Sequence, residues 1–252
     1  MRINKYIAKS GFCSRRKADD LISSGKVVVN GKILEDFSYD TKDDDIITVD
    51  GQILQIEKHF YYKLNKPIGF ITSNFDPYNK KDLNDLIFMD QRFFAAGRLD
   101  KDSHGLLIIT NDGDFANALT HPSHEISKEY IVKVDKVLSK KDEEKFKKGL
   151  DIGNDEITSN SYLKLIGTDT YRVMIKQGYN RQIRRMFQTL GSNVIDLCRI
   201  RIGAINLDGL KLSSYKAFDK KEMEFVKLIK NNIWKKLESL VQEQVDFIAL
   251  LI

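Results

Sequence analysis

"AAGRLDKDSHGLLIITNDG", residues 95–113, joins a charged loop to an apolar run. The run Leu106–Ile109 is typical of a buried β-strand, because short apolar runs bounded by turn residues are usually interior. The charged residues beside it therefore lie at the edge of a core and not on open surface. Asp100 is then either a catalytic carboxylate or a loop residue in a surface ion pair, and this stretch alone does not decide between the two.

The composition indicates a globular protein that can bury a core. The chain has 252 residues, of which 42% are hydrophobic, and this length fits one large domain or two unequal ones. Cys13 and Cys198 lie far apart in the sequence, which favours a reducing, cytoplasmic location over a disulfide framework. The four histidines show no zinc-ligand spacing with these cysteines, so we expect no metal site.

Neither terminus has the features of a membrane segment. The N-terminal residues lack the apolar stretch of a secretory signal. The apolar run 247–252 is far shorter than the roughly 20 residues needed to span a bilayer. We therefore expect no membrane association.

Charge is unevenly distributed along the first fifty residues. Residues 1–32 contain eight lysines and arginines and two aspartates, whereas residues 35–50 contain seven acidic residues and one lysine. The net charge of the chain is only +5, so this polarity matters more for binding than the total. A basic face of this kind can contact phosphates in a fixed orientation. An ordinary solvated surface has the same composition, and charge alone leaves both interpretations open.

The local pattern of the same region predicts two short helices followed by a small sheet. "INKYIAKSGF" has apolar residues on one helical side and Gly11 as a stop, and "SRRKADDLISSG" has Ser14 as the N-cap of a second helix. The dipeptides at 30–31 and 50–51 are Asn-Gly and Asp-Gly, which favour hairpin turns. Three cations, Arg15, Arg16 and Lys17, occupy the first turn of the second helix, where the helix dipole disfavours positive charge. A bound polyanion would relieve this repulsion.

These segments resemble the small alpha-L RNA-binding module of a ribosomal small-subunit protein and several RNA-modifying enzymes. The resemblance rests on "INKY" at 3–6, "SRRKAD" at 14–19 and "VNG" at 29–31. It implies a domain over residues 1–57 that contacts RNA through Lys5, Arg15, Arg16 and Lys17.

A second region begins near Phe60, after the polar, linker-like segment "LQIEKH". Strand patterns outnumber helix patterns here, and no regular β-α-β alternation is present. The predicted strands lie in "YYKLNKPIGFITS", where residues 66–69 interrupt the strand, and in "LLIIT", "KEYIVKVD" and "TYRVMIKQG". Short helices are predicted within "NDGDFANALTHP" and over "SKKDEEKFKKGL". We therefore predict an α+β fold in which a mixed, mainly antiparallel central sheet occupies residues 60–230.

A second basic patch follows in residues 181–201, which contain five arginines and one acidic residue. In the helix predicted over 181–190, the apolar stripe leaves Arg181 and Arg185 on the wet side and Arg184 at its margin. A cation at such a margin needs a carboxylate partner, because an unpaired buried charge costs several kcal/mol. Strand alternation in "CRIRIG" places Arg199 and Arg201 on one face of the next strand.

These segments together resemble the pseudouridine synthases, specifically the RsuA/RluB/RluE/RluF-like branch, which carries an N-terminal alpha-L module. The matching segments, in order along residues 1–230, are "NKPIG" at 65–69, "GRLDKDSHGLL" at 97–107, "KEY" at 128–130, "GYNRQIRRM" at 178–186, Leu197, Arg199 and "RIG" at 201–203. The wording of "RLDKDS" and "QGYNRQIRRM" is closest to the RluF-like enzymes, which act on large-subunit ribosomal RNA.

The resemblance implies a role for each of several residues. Asp100 corresponds to the catalytic carboxylate, Arg184 to the arginine that pairs with it, and Tyr130 to the tyrosine that stacks on the target base and assists proton removal at C5. Leu197 corresponds to the apolar residue that closes the pocket. Each has a structural alternative: a surface ion pair for Asp100, a core side chain for Tyr130 or Leu197, and a structural ion pair for Arg184.

The implied reaction breaks the glycosidic bond of a uridine, rotates the uracil and rejoins it through C5. Nothing is oxidised or added, so the resemblance implies no cofactor. The carboxylate attacks C1′ or removes the 2′ proton, and the sequence leaves both open. The uridine must first leave the RNA stack, a step in which Arg98 would take part or contact phosphate.

The expected partner is ribosomal RNA of the large subunit, with further contacts from Arg181, Arg185, Arg199 and Arg201. Two alternatives stay open: the same reaction on tRNA or small-subunit RNA, and an RNA-binding protein without catalysis. By contrast, we expect Lys66 and Pro67 to shape a turn, and we expect no functional role for His104.

Residues 231–252 depart from the family pattern. Their apolar positions form an amphipathic stripe that ends in an apolar tail, whereas RluF-like proteins often end in a basic extension. We expect a C-terminal helical extension that packs on the catalytic domain of a monomer. A dimer formed through this helix is the alternative.

Overall fold

The computed structural model describes residues 1–74 and 81–231, which form two compact units. The first unit contains residues 1–60 together with 89–94 and 110–113, and the second contains the described residues of 61–88, 95–109 and 114–231. The sequence assigned 89–94 and 110–113 to the later domain, whereas the structure groups them with the first unit. Of the predicted extension at 231–252, all but Asn231 lies outside the described residues.

The first unit has the predicted two helices and small sheet. Helices α1 (Ile3–Lys9) and α2 (Arg15–Ser23) precede strands β1 (Val27–Val29), β2 (Lys32–Ile33), β3 (Ile47–Val49) and β4 (Gln52–Ile53). The strands form one antiparallel sheet in the order β2-β1-β3-β4. Asn30 and Asp50 have positive φ, as the predicted hairpin turns require. The core contains Ile3 and Ile7 of α1 and the buried face of α2.

The second unit is built on a mixed sheet. Its strands are β5 (Tyr61–Lys66), β6 (Phe94–Ala96), β7 (His104–Thr110), β8 (Lys128–Val134), β9 (Tyr162–Leu165), β10 (Thr170–Ile175), β11 (Val194–Ile202), β12 (Ile205–Asn206) and β13 (Tyr215–Ala217). Their order is β13-β5-β7-β11-β8-β10-β9, with β6 beside β7 and β12 beside β11. The β7–β11 pair is parallel, whereas the pairs β11–β8, β8–β10 and β10–β9 are antiparallel. The predicted α+β class and the mainly antiparallel sheet are confirmed.

Four further helices belong to this part of the chain: α3 (Gly113–Thr120), α4 (Lys140–Lys148), α5 (Gln182–Thr189) and α6 (Lys220–Lys230). The predicted cap of α4 is present, because the Ser139 hydroxyl accepts a hydrogen bond from the Asp142 N–H at 3.2 Å. The buried residues Phe225, Val226 and Ile229 of α6 belong to the same core cluster as Leu106 and Ile108 of β7. The run that opened the sequence analysis is thus fully buried, as predicted.

Strand β11 has an irregularity that changes which side chains share a face. Its register with β8 shifts between Arg199 and Arg201. Simple alternation had placed both arginines on one face, and the shift separates them. The prediction of a shared face is therefore wrong. Among the described residues, no helix is both long and apolar enough to cross a membrane.

Candidate active site

The loop 97–103, between β6 and β7, carries Asp100 and is fixed at several points. The Thr72 hydroxyl donates to the Leu99 carbonyl at 2.7 Å and accepts from the Leu99 N–H at 3.1 Å. The Gly69 N–H donates to the Lys101 carbonyl at 2.7 Å, and the Ser103 N–H donates to the Asp100 carbonyl at 3.1 Å. These bonds hold the backbone on both sides of Asp100, whose side chain is 30% exposed.

A cavity of about 410 Å³ opens beside this loop. Three residues that the sequence singled out, Asp100, Tyr130 and Leu197, line it together with Arg98, Arg181 and Arg199. Tyr130 of β8 lies opposite Arg199 of β11 in the sheet, and both side chains are over nine-tenths buried. A second hollow, of about 720 Å³, shares Arg98, Asp100 and Arg181 with the first. Asp100 therefore lies where a pocket lined by apolar, aromatic and cationic side chains meets a more open surface.

Arg181 forms an ion pair with the Asp100 carboxylate. Its Nη1 lies 3.8 Å from Asp100 Oδ2, and its two terminal nitrogens donate to both oxygens of Asp102 at 3.0 and 2.9 Å. The hydrogen bonds from Arg181, with the nearby charge of Arg184, hold the pKa of Asp102 below its ordinary value, and Asp102 in turn raises the pKa of Arg181. Arg181 precedes α5 as its N-cap, with a positive φ of 50°. Arg181 is therefore not a residue of the helix, and its side chain does not point in the direction that helical periodicity had predicted.

Arg184 does not pair with Asp100, contrary to the sequence expectation. Its Nη2 donates to the Asp102 carbonyl at 2.8 Å and to the Ser103 hydroxyl at 3.3 Å, and its Nη1 donates to the Val194 carbonyl at 3.0 Å. Its Nε lies 3.4 Å from Asp102 Oδ2. Arg184 thus connects α5 and β11 to the backbone just after Asp100. The predicted margin position is right, but the carboxylate that it reaches is that of Asp102.

Two more arginines expected to contact RNA are occupied within the second unit. Arg185 donates to the carbonyls of Ile152 at 2.7 Å and Gly153 at 2.8 Å, and it forms an ion pair with Glu156. Arg201 donates to buried Glu129 at 2.6 Å. The expected exposed position of Arg185 is wrong. Arg201 does not line the cavity, because the bulge in β11 directs it to Glu129.

The cavity also contains a lysine that the sequence analysis did not assign a role. Lys128 lies two residues before Tyr130 in β8, so the two side chains share a face of the sheet. Its Nζ donates to the carbonyls of Ile126 and Lys176, at 3.3 Å each. Strand alternation from Tyr130 was the signal that could have identified it.

Lys66 is fully buried behind the loop that carries Asp100. Its Nζ donates to the Pro67 carbonyl at 3.0 Å and to the Ser103 carbonyl at 2.9 Å. Burial lowers the pKa of Lys66 to about 8, although the charges of Asp100 and Asp102 partly oppose this shift. The turn expected at this position thus includes a lysine that supports the loop from below.

The basic residues predicted for the first unit lie at the start of α2. Arg15, Arg16 and Lys17 are all exposed there, and the Ser14 hydroxyl accepts a hydrogen bond from the Lys17 N–H at 3.2 Å. Lys17 lies 3.8 Å from Asp20, and both side chains are largely exposed, so this ion pair is weak. Lys5 lies on α1 and is half-buried. The helix start thus offers three cations to solvent.

Comparison with known proteins is consistent across sequence and structure. The RNA pseudouridylate synthase family matches residues 61–189, and the S4 domain matches residues 1–47. The chain is 39% identical to ribosomal large subunit pseudouridine synthase B of Bacillus subtilis, over 83% of this chain and 88% of the relative. It is 36% identical to the dual-specificity RNA pseudouridine synthase RluF of Escherichia coli K12, over 92% and 80%.

Two further matches broaden this comparison. Ribosomal small subunit pseudouridine synthase A of Escherichia coli K12 is 33% identical, over 90% of this chain and all of the relative. A crystal structure of a pseudouridylate synthase superposes with a TM-score of 0.67 at 28% identity, covering 90% of this chain and 99% of that one.

Proposed function

This chain belongs to the RNA pseudouridylate synthase family, and from that premise we propose that it converts a uridine of ribosomal RNA into pseudouridine with Asp100 as the catalytic carboxylate. The observation that carries the proposal is the cavity in which Asp100, Tyr130 and Leu197 come together from three separate parts of the chain. A surface ion pair or an ordinary core would not bring a half-exposed carboxylate to the mouth of an aromatic pocket. The resemblance noted in the sequence and the geometry of the cavity support the same role.

The reaction can proceed with the groups that this chain supplies. An everted uridine would stack on Tyr130 and contact Leu197 while Asp100 faces the ribose. When the N1–C1′ bond breaks, C1′ becomes electron-poor, and a carboxylate can bond to it or remove the 2′ proton. The uracil then rotates and C5 bonds to C1′, while the Asp100–C1′ bond breaks or the 2′ proton returns to the ribose. C5 loses its proton and N1 gains one. Atoms and electrons balance without a cofactor.

The arginines around the carboxylate have separate tasks in this proposal. Arg181, at 3.8 Å, orients Asp100 from the solvent side, while Arg184 fixes the backbone that follows it. Arg98 is exposed at the edge of both hollows, which supports a part in extruding the nucleotide or in holding its phosphate. Arg199 lies deeper, beside Tyr130.

The RNA target is proposed at two levels of detail. Relatives whose names specify the large subunit, the small subunit and dual specificity all match over most of this chain, which supports ribosomal RNA as the substrate class. Within that class we propose the large subunit, which the "RLDKDS" and "QGYNRQIRRM" segments favour. Transfer RNA and small-subunit RNA are the competing substrates. A cytoplasmic location fits such a substrate and the two free cysteines.

The experiment maps pseudouridine in total RNA from cells with and without the gene, by carbodiimide modification and reverse transcription. We expect one stop in large-subunit RNA to disappear with the gene and to return with the wild-type chain. Asp100→Asn should not restore the stop, since it removes the reacting carboxylate, but should bind RNA as the wild type does. Asp208→Asn, at an exposed position outside the cavity, is the matched control and should restore it. A lost stop in tRNA or small-subunit RNA would change the substrate, and unchanged RNA everywhere would remove the proposal.

A further inference from the structure

Two cations share the floor of the cavity with Tyr130. Lys128 belongs to β8 and Arg199 to β11, and both line the cavity. Arg199 is directly opposite Tyr130 in the sheet, and Lys128 is on the same face of β8 as Tyr130. Asp100 and its partner Arg181 come from two loops on the rim. The cavity therefore has a carboxylate on its rim and a pair of positive charges in its sheet floor.

Arg199 has a buried donor that nothing satisfies. The residue is only 3% exposed; its Nε donates to the Leu106 carbonyl at 2.8 Å and its Nη1 to the Arg98 carbonyl at 3.3 Å. Its Nη2 is buried and has no hydrogen-bond partner among residues 1–74 and 81–231. An unsatisfied buried donor costs about 1–3 kcal/mol, and more when it is charged. This nitrogen is therefore a ready contact for an acceptor that enters the cavity.

Lys128 is likewise without a counter-charge. Within the described residues, neither Lys128 nor Arg199 has a carboxylate at ion-pair distance, because Asp100 is beside Arg181 and Glu129 pairs with Arg201. The strand neighbours of Lys128 are apolar, Ile175 in β10 and Ile202 in β11. Burial and the positive field of Arg199 lower the pKa of Lys128 to about 8. Two cations that repel each other in a partly closed cavity favour an electron-rich ligand.

The reaction itself produces such a group at this place. Breaking the N1–C1′ bond leaves the bonding electron pair on N1, and the negative charge spreads over O2 and O4 of the uracil. If the ribose faces Asp100 on the rim, a base stacked on Tyr130 presents its carbonyl oxygens to the floor. We propose that Lys128 and Arg199 donate hydrogen bonds to these oxygens and stabilise the uracil anion as it leaves. This inference rests on the proposed function. That function places Asp100 at the positive charge that develops on C1′, and the inference places Lys128 and Arg199 at the negative charge that develops on the uracil.

The step balances without another reactant. Asp100 takes up the electron deficiency at C1′, or the 2′ proton, while the two cations hold the uracil anion and keep their own protons. The same contacts retain the detached base in the cavity during its rotation. When C5 bonds to C1′, the Asp100–C1′ bond breaks or the 2′ proton returns to the ribose, and the negative charge on the ring is consumed. A proton then leaves C5 while N1 gains one. The cations thus act only where charge develops, as donors do in an oxyanion hole.

The test compares Lys128→Met, Lys128→Arg and the control Lys133→Met, which changes an exposed lysine of the same strand. Each full-length variant reacts under single-turnover conditions with one RNA transcribed with uridine or with 5-fluorouridine. Fluorine makes the uracil a better leaving anion, so the 5-fluorouridine substrate depends less on the two cations. Its C5 carries fluorine and has no proton to release, so the reaction is followed by the loss of the N-glycosidic nucleoside. We expect Lys128→Met to lower the rate with uridine about 100-fold and the rate with 5-fluorouridine clearly less, at unchanged RNA affinity.

Lys128→Arg should keep most of the activity, and Lys133→Met all of it. Equal losses on the two substrates would overturn the proposal, as would a defect that appears only as weaker RNA binding, which is what a phosphate contact would give. If Lys128→Met fails to fold, the pH dependence of Lys128→Arg replaces it. The wild-type rate should fall above about pH 8, in line with the pKa of Lys128, and Lys128→Arg should extend the plateau; identical profiles contradict the role. If the wild type converts the RNA and Lys128→Met has the same rate, this inference alone is removed. If the wild type does not convert the RNA, the proposed function is removed as well.

Discussion

The carboxylate of Asp100 lies 3.8 Å from Arg181, while Arg184 contacts the backbone of Asp102. Two arginines of the same helix start therefore act on the loop in different ways. Arg181 touches the side chains of Asp100 and Asp102 and is 44% exposed, so it can also reach substrate. Arg184 is 13% exposed and connects three segments of the fold. At the scale of single residues, the first is a positioning group for the carboxylate and the second is a structural one.

Arg181→Met and Arg184→Met should separate these tasks. We expect Arg181→Met to lower kcat by about 10-fold or more, with a small change in the free energy of unfolding, because the guanidinium is largely exposed. Arg184→Met should cost about 2 kcal/mol of that free energy, because it removes the hydrogen bonds that join α5 to the backbone at Asp102 and Val194. Single-turnover rates and urea denaturation measure both quantities. The assignment is reversed if Arg184→Met is as stable as the wild type while Arg181→Met unfolds early.

Lys66 should make the stability of the protein depend on alkaline pH. Its pKa is about 8 in the folded state and 10.5 when exposed, so between these values the unfolded chain binds more protons. The free energy of unfolding therefore gains from Lys66 as the pH rises from 8 towards 10.5, by at most about 1.4 kcal/mol per pH unit. Below pH 8 the cost of burying the charge is fully present. Lys128, whose pKa is also about 8, adds a similar gain to both chains, so denaturation at several pH values should show a larger gain in the wild type than in Lys66→Met. A pH-independent difference between the two would contradict the role of Lys66.

Residue identity was more predictable from the sequence than residue partnership. Asp100, Tyr130 and Leu197 were singled out by sequence motifs and do line one cavity. The resemblance implied Arg184 as the partner of Asp100, whereas helical periodicity, which assumes that the helix axis continues, placed Arg181 on the wet side. Arg181 has φ 50°, outside the helix, and no periodicity argument can place a side chain there. Lys66 was expected to shape a turn with Pro67, but its burial was missed because a lysine before a proline is typical of an exposed turn.

At the scale of secondary-structure elements, the pairing of β7 with β11 sets the floor of the cavity. Gly105 of β7 pairs with Arg199 of β11, and its φ of 102° lies in the region that favours glycine. A Cβ at this position would collide with the backbone carbonyl of Arg199. The close approach of these two strands thus fixes the backbone from which the Arg199 guanidinium extends.

Gly105→Ala should therefore destabilise the protein and disturb the cavity together. We expect a loss of at least about 2 kcal/mol in the free energy of unfolding, from both the collision and the backbone strain. The fraction that stays folded should have a lower single-turnover rate, because Arg199 moves with its strand. Gly113→Ala is the control, since a Cβ there meets nothing within 4 Å. Equal stability of the two variants would show that β7 and β11 can separate at no cost.

The sequence predicted the elements well where a single period extends through them. The helix α4 and the strands β8 and β10 lie where their patterns indicate. Strand β11 is the exception, because its bulge between Arg199 and Arg201 breaks the alternation. A bulge depends on the partner strand, which no local pattern contains. The bulge matters for the site, because Arg199 lines the cavity while Arg201 hydrogen-bonds to Glu129.

At the scale of the whole molecule, each of the two units contributes a different feature. The first offers exposed cations at the start of α2, and the second contains the cavity with Asp100. If the first unit supplies RNA affinity and the second supplies the chemistry, a charge change in the first unit should leave the rate constant of the chemical step unaltered. Such a division can be tested on the full chain, without separating the units.

The double variant Arg15→Ala, Arg16→Ala should weaken RNA binding without changing the chemical step. Each lost phosphate contact reduces the slope of log affinity against log salt by about 1, so the double variant should lose up to about 2. We expect the single-turnover rate at saturating RNA to equal that of the wild type, because neither arginine lines the cavity. A second double variant, Lys136→Ala with Lys141→Ala, removes the same charge from exposed positions of the second unit and controls for the total. Equal salt slopes for both pairs would mean that α2 is no RNA contact and that only net charge attracts the RNA.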